Sequence, residues 1–119
     1  MGIKTTEDIS LNSLSTNFPP QVERTLNELI AILETSGKSV TAEIRSQMKI
    51  KLGFVSGGLS VIIDDARREK KLSSVEIADL QLLQKQVRDL MTKATVETNT
   101  RILLKLIIAL HKEANRVLR

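Results

Sequence analysis

The residues with the clearest chemical potential in this chain are cationic. Arg101, Lys105, Lys112, Arg116 and Arg119 are spaced 4, 7, 4 and 3 apart, and a helical turn of about 100° per residue gathers them on one side. Only Glu113 opposes them nearby. Such a row tracks the phosphates of nucleic acid, an anionic membrane surface or an acidic partner, because neutralising phosphates releases counterions. It is also what a solvated helix face looks like, and the Tyr and Trp side chains that would stack on bases are absent. Ile108 falls in the middle of the row and Leu104 at its edge. An aliphatic side chain among cations points to a surface that another protein chain covers. Arg67, Arg68, Lys70 and Lys71 form a secondary basic cluster that extends the candidate polyanion surface.

Catalytic and metal chemistry have far less to work with. Cysteine is absent, which removes disulfides, thiolate nucleophiles and Cys-ligated metals together. His111 is the only histidine, with no second His or spaced carboxylate cluster to complete a metal site. Asp64 and Asp65 are adjacent, so on a helix they diverge by about 100° and do not face each other across a substrate. They are expected to pair with Arg67, Arg68 or Arg45. No nucleophile elbow and no Gly-rich loop after a strand is present. The expectation is a protein that is not an enzyme and carries no cofactor.

Positioning these residues requires a scaffold, and composition says which kind. A chain of 119 residues fits one domain. Its core must be aliphatic, since Phe18 and Phe54 are the only aromatic residues. The net charge of +4 is unevenly spread, with −3 over residues 1–37, +4 over 38–72, −1 over 73–100 and +4 over 101–119. The longest uncharged apolar stretch, residues 52–63, contains three glycines and is shorter than the ~20 residues a membrane span needs. Lys4 is followed by polar residues instead of an apolar run, so no secretory signal is expected. A cysteine-free chain of this kind is expected in the cytoplasm.

Residues 1–17 are rich in Ser, Thr and Asn and are followed by Phe18, Pro19 and Pro20, which favours extended geometry and a flexible N-terminal arm over 1–19. Ile9, Leu11 and Leu14 give that arm apolar side chains with which to dock. Pro20 suits a helix start, Val22, Leu26, Leu29, Ile30 and Leu33 share one face, and Gly37 supplies a stop. A second helix follows, capped by Ser39, in which Val40, Ile44, Met48, Leu52, Val55, Leu59 and Ile62 keep phase across Gly53, Gly57 and Gly58.

Three glycines in a helix interior cost about 2 to 3 kcal/mol relative to alanine, so close helix packing at Gly53, Gly57 and Gly58 is expected to offset them. The GxxxG spacing of Gly53 and Gly57 carries no membrane meaning in so short a segment. A second apolar stripe of Ile50, Phe54 and Val61 makes this helix apolar or small nearly all round, which predicts a central, buried position. Ser73 and Glu76 have capping-box spacing for a third helix carrying Ile77, Leu80, Leu83, Val87, Leu90, Met91 and Ala94. A break is expected at 95–100, and a fourth helix then faces Leu103, Leu106, Ile107, Leu110, Ala114 and Val117 inward.

These elements predict an all-α, antiparallel four-helix bundle over residues 20–119, with a flexible N-terminal arm over 1–19 and helix two central. No residue pattern compels a family. The expected role is a non-enzymatic protein-interaction or assembly module, a homo-oligomer or a partner of another protein. The alternative is a nucleic-acid-binding accessory protein that holds phosphates through the basic face of the last helix.

Overall fold

The computed structural model describes the backbone of residues 2–70 and 72–118 and the side chains of 18–70 and 72–118. Four helices are present among the described residues: α1 (Gly2–Thr35), α2 (Ala42–Glu69), α3 (Ser74–Val96) and α4 (Thr100–Leu118). Each packs on its neighbours in chain order and α1 closes the ring on α4, while the backbones of the diagonal pairs, α1 with α3 and α2 with α4, are not neighbours. Rising numbers on α2 meet falling numbers on its partners. Arg45 reaches Ala94 and Ser56 reaches Gln84 on α3, and Lys51 meets Glu28 while Gly58 meets Phe18 on α1. The bundle is therefore antiparallel.

Apolar residues at steps of three and four build its core. Val22, Leu26, Leu29 and Leu33 on α1 meet Ile44, Met48, Leu52, Val55, Leu59 and Ile63 on α2. Leu80, Leu83, Val87 and Leu90 on α3 and Leu103, Ile107 and Leu110 on α4 complete it. One aromatic joins this aliphatic set, Phe18, which is buried. Leu106, expected to face inward, is 39% exposed, because the buried phase of α4 runs through Leu103, Ile107, Leu110 and Ala114 and leaves it on the flank.

The start of the fold departs from expectation. α1 begins at Gly2 and carries Pro19 and Pro20 in its interior, so Pro20 is not a helix start. Two prolines remove two backbone donors, and Phe18 is buried one turn before Val22. Phe18, which the sequence places in the arm, is buried in the core. The docking expected of Ile9, Leu11 and Leu14 lies outside the described side chains.

Helix ends follow local chemistry. Thr41, not Ser39, caps α2, its hydroxyl accepting the Ile44 N–H at 3.2 Å. Ser39 instead forms an antiparallel bridge with Asn99. There the Val40 N–H donates to Thr98 O and the Thr100 N–H to Lys38 O, both at 2.9 Å. This bridge clasps the α1–α2 connection to the α3–α4 connection at one end of the bundle. Thr100, only 3% exposed, adds a hydroxyl bond to Gly37 O at 2.8 Å. At the other end Ser73 and Glu76 form the reciprocal capping box that opens α3. The break expected at 95–100 is present: α3 stops at Val96 and α4 starts at Thr100.

α2 is not central. It occupies one corner of the ring, its backbone packed beside α1 and α3. A square bundle gives each helix one buried stripe, and the second stripe of α2 has no fifth helix to cover it.

Candidate interaction surfaces

The basic row stands on the outer side of α4, directly away from the core stripe. Arg101, Lys105, Ile108, Lys112 and Arg116 are all exposed, and Arg119 lies outside the described residues. Among the described residues Arg101, Lys105 and Lys112 have no carboxylate partner. Arg116 does: Glu113 pairs with it, and Asp79 of α3 lies 4.0 Å away. Those carboxylates hold the guanidinium charged, the Glu113 hydrogen bond raising its pKa above the ordinary value. Ile108 is 39% exposed amid the cations, whereas Leu104 packs against the core.

The second basic cluster stands on another helix. Arg67, Arg68 and Lys70 are exposed at the end of α2, diagonal to α4 in the ring. Lys71 lies outside the described residues. Arg68 pairs with Asp65, as the sequence suggested. Arg45 does otherwise: its Nη1 donates to the carbonyl of Ala94 at 2.6 Å, placing a cation at the C-terminal turn of α3, where the helix dipole favours it.

The three glycines separate into three cases. A Cβ at Gly58 would fall 2.7 Å from Phe18 Cζ, inside van der Waals contact. At Gly53 it would meet only Met91 Cε at an ordinary 3.9 Å, and at Gly57 nothing within 4 Å. Close approach is thus confined to Gly58, and there a phenyl ring, not a helix backbone, takes the space. Periodicity marks the glycines but says nothing of what faces them.

The α2 stripe is an apolar feature left uncovered. Ile50 is 64%, Phe54 48% and Val61 43% exposed. Their spacing of four and seven keeps them on one side, with Gly57 between. The Phe54 ring leans on buried Phe18, with centroids 6.2 Å apart and planes tilted by 49°, while half of it remains open. The opposite flank of α2 is locked to α3 by Gln84, whose amide donates to Ser56 O at 3.1 Å and to the Ser60 hydroxyl. That polar lock left no trace in the apolar periodicity.

A third surface went unread in the sequence. Leu106 and Ala109 of α4 line a groove with Gln86, Asp89 and Lys93 of α3, and exposed Leu82 lies along the same helix. His111 borders a cavity of about 240 Å³ between α1 and α4. Its Nδ1 is 3.4 Å from the Asn115 amide and its Nε2 is buried without a hydrogen-bond partner.

Among the described residues no helix is long and apolar enough to cross a membrane, and no group of three or more His, Cys, Asp or Glu is placed to hold a metal ion. Comparison with protein families, with characterised proteins and with solved structures found no match.

Proposed function

We propose that this chain is a non-enzymatic helical module that works by binding protein surfaces, its own included. The observation that carries this reading is the exposure of Ile50, Phe54 and Val61 along one side of α2. Scattered single apolar residues are ordinary on a protein surface; three aligned on one helix face, with an aromatic ring packed beneath, are what an interface uses. Ile108, flanked by cations on α4, supports a second contact surface. A cysteine-free composition fits a cytoplasmic setting.

The test is light scattering coupled to size-exclusion chromatography at low and moderate salt, with and without short DNA and RNA. An assembly of fixed mass above 13.3 kDa that ignores both salt and nucleic acid supports the assembly reading. A mass of one chain under every condition, with no partner bound, removes it.

A second reading rests on a separate observation, the carboxylate-free exposure of Arg101, Lys105 and Lys112. These suit nucleic-acid phosphates, held without reading bases. Binding then weakens steeply with salt, and the triple variant Arg101→Glu, Lys105→Glu, Lys112→Glu abolishes it. Salt-independent binding, or full binding by the triple variant, excludes this reading.

A further inference from the structure

The exposed stripe of α2 is self-complementary when two copies run antiparallel, and we propose that a second copy of this chain docks there about a two-fold axis between Phe54 and Gly57. This inference rests on the self-association reading above and assigns it a surface and a register.

Three independent features point to that register. The first is shape. Gly57 has no reason to be glycine within its own chain: a Cβ would meet nothing within 4 Å, and a glycine in a helix interior weakens the helix. Three residues earlier, on the same side, stands the half-exposed ring of Phe54. In an antiparallel pair centred between them, the ring of each chain enters the gap left by the glycine of the other. The second feature is the apolar flank. The same axis sets Ile50, 64% exposed, against Val61 of the other copy, 43% exposed, so each large aliphatic meets another.

The third is charge. Continued outward in the same register, Glu43 of one copy faces Arg68 of the other, and Gln47 faces Asp64. Glu43 lies in the first turn of α2 and Arg68 in the last, so each already suits its own helix dipole. Antiparallel pairing brings these opposite charges together at both ends. Parallel pairing would instead stack Phe54 on Phe54, Glu43 on Glu43 and Arg68 on Arg68, opposing like charges and leaving both glycine gaps empty. The pattern 50, 54, 57, 61 alternates steps of four and three, the spacing of a helix–helix seam. From Glu43 to Arg68 it runs about 38 Å at the helical rise. A two-fold contact of this kind uses the same patch twice and closes on itself. The Phe18 ring packs against Phe54, a contact that reduces the freedom the anchor loses on association.

The experiment compares masses and dissociation constants by light scattering and sedimentation for the whole chain. Glu43→Arg and Arg68→Glu are each expected to weaken the dimer by about tenfold or more, and the double exchange to restore it, since the swapped charges face each other again. Gly57→Leu fills the gap: it abolishes the dimer while raising the melting temperature of the dilute chain, an outcome that misfolding cannot imitate. The cysteine-free background allows a register test. On mixing Ile50→Cys with Val61→Cys chains, the mixed disulfide forms in preference to either homodimer; a dominant Ile50→Cys homodimer overturns the antiparallel register. If the wild-type chain is monomeric at all concentrations, the self-association reading itself fails. If it is dimeric but Glu43→Arg, Arg68→Glu and Gly57→Leu leave the mass unchanged, the α2 seam is wrong while self-association stands, and Ile108→Asp then tests α4.

Discussion

The ring of Phe18 lies across the bare Cα of Gly58, where a Cβ would fall 2.7 Å from Cζ and 3.0 Å from Cδ1, and closer still to Cε1. One chain position therefore has to be glycine because of one ring contributed from forty residues away. Gly58→Ala should destabilise the fold by up to about 2 kcal/mol, an overpacking loss of about 1 to 3 kcal/mol being offset by about 1 kcal/mol of helix propensity. Gly57→Ala, with open space around it, should instead stabilise the dilute chain by about 1 kcal/mol. Urea denaturation of the two variants side by side measures this; equal effects of the same sign would falsify the ring-on-glycine packing.

Thr100 clasps two connections through its hydroxyl bond to Gly37 O at 2.8 Å and its N–H bond to Lys38 O at 2.9 Å. Thr100→Val keeps the shape and the backbone bond but leaves the Gly37 carbonyl without its donor. The expected loss is about 1 to 2 kcal/mol at unchanged denaturant slope. Hydrogen exchange should show faster opening at the Val40 and Thr100 amides before the rest of the bundle, and unchanged protection there would rule out the clasp.

Lys70 ends α2 in the left-handed region, with φ 55° and its N–H donating to Ala66 O. A side chain there costs about 1 kcal/mol that glycine avoids. Lys70→Gly is expected to raise stability by about 0.5 to 1 kcal/mol, read as a higher urea midpoint. A fall would mean that the lysine side chain contributes more than its backbone strain costs.

Glu97 sits at the end of α3 and carries the turn into α4. Its Oε2 accepts the Asn99 and Thr98 N–H groups, each at 3.1 Å, and Lys93 Nζ stands 3.4 Å from Oε1. The Asn99 bond first, with help from Lys93 and Thr98, holds the carboxyl below its ordinary 4.5. Glu113 is lowered in the same way, chiefly by its hydrogen bond to Arg116. A carboxylate whose folded pKa is depressed stabilises the fold above the unfolded value, and that contribution is lost as pH falls through the folded value. Glu97→Gln should therefore lower the melting temperature at neutral pH, with the gap from wild type closing as pH drops below about 4.5. A gap that stays constant into acid would show that the variant acts through packing alone.

Much of the fold was legible from apolar spacing, because one buried stripe per helix leaves a period of three and four that needs no knowledge of its partners. That is why Val22, Leu26, Leu52, Leu59, Val87 and Leu103 were expected inside and are buried. Local caps were legible for the same reason: Ser73 and Glu76 satisfy each other within one turn. The capping of α2 was misplaced from Thr41 to Ser39, since Ser39 is engaged by Asn99 from across the bundle. The local preference of Pro19 and Pro20 points to a boundary, whereas α1 runs through both.

The amino-acid sequence on its own determined that this chain makes four amphipathic helices, an aliphatic core and a cationic row along the last helix. Periodicity and charge spacing are properties of one helix and need no neighbour to be read. Only the tertiary structure decided which apolar stripe of α2 is core and which is left open. Both have helical spacing, and the difference lies in whether a neighbouring helix stands against them. It likewise decided that Gly58 answers to a ring while Gly57 faces open space, and that Arg45 serves the end of α3 instead of an aspartate on its own helix. Each of these depends on residues brought together from distant parts of the chain, a juxtaposition that exists only once the helices have packed.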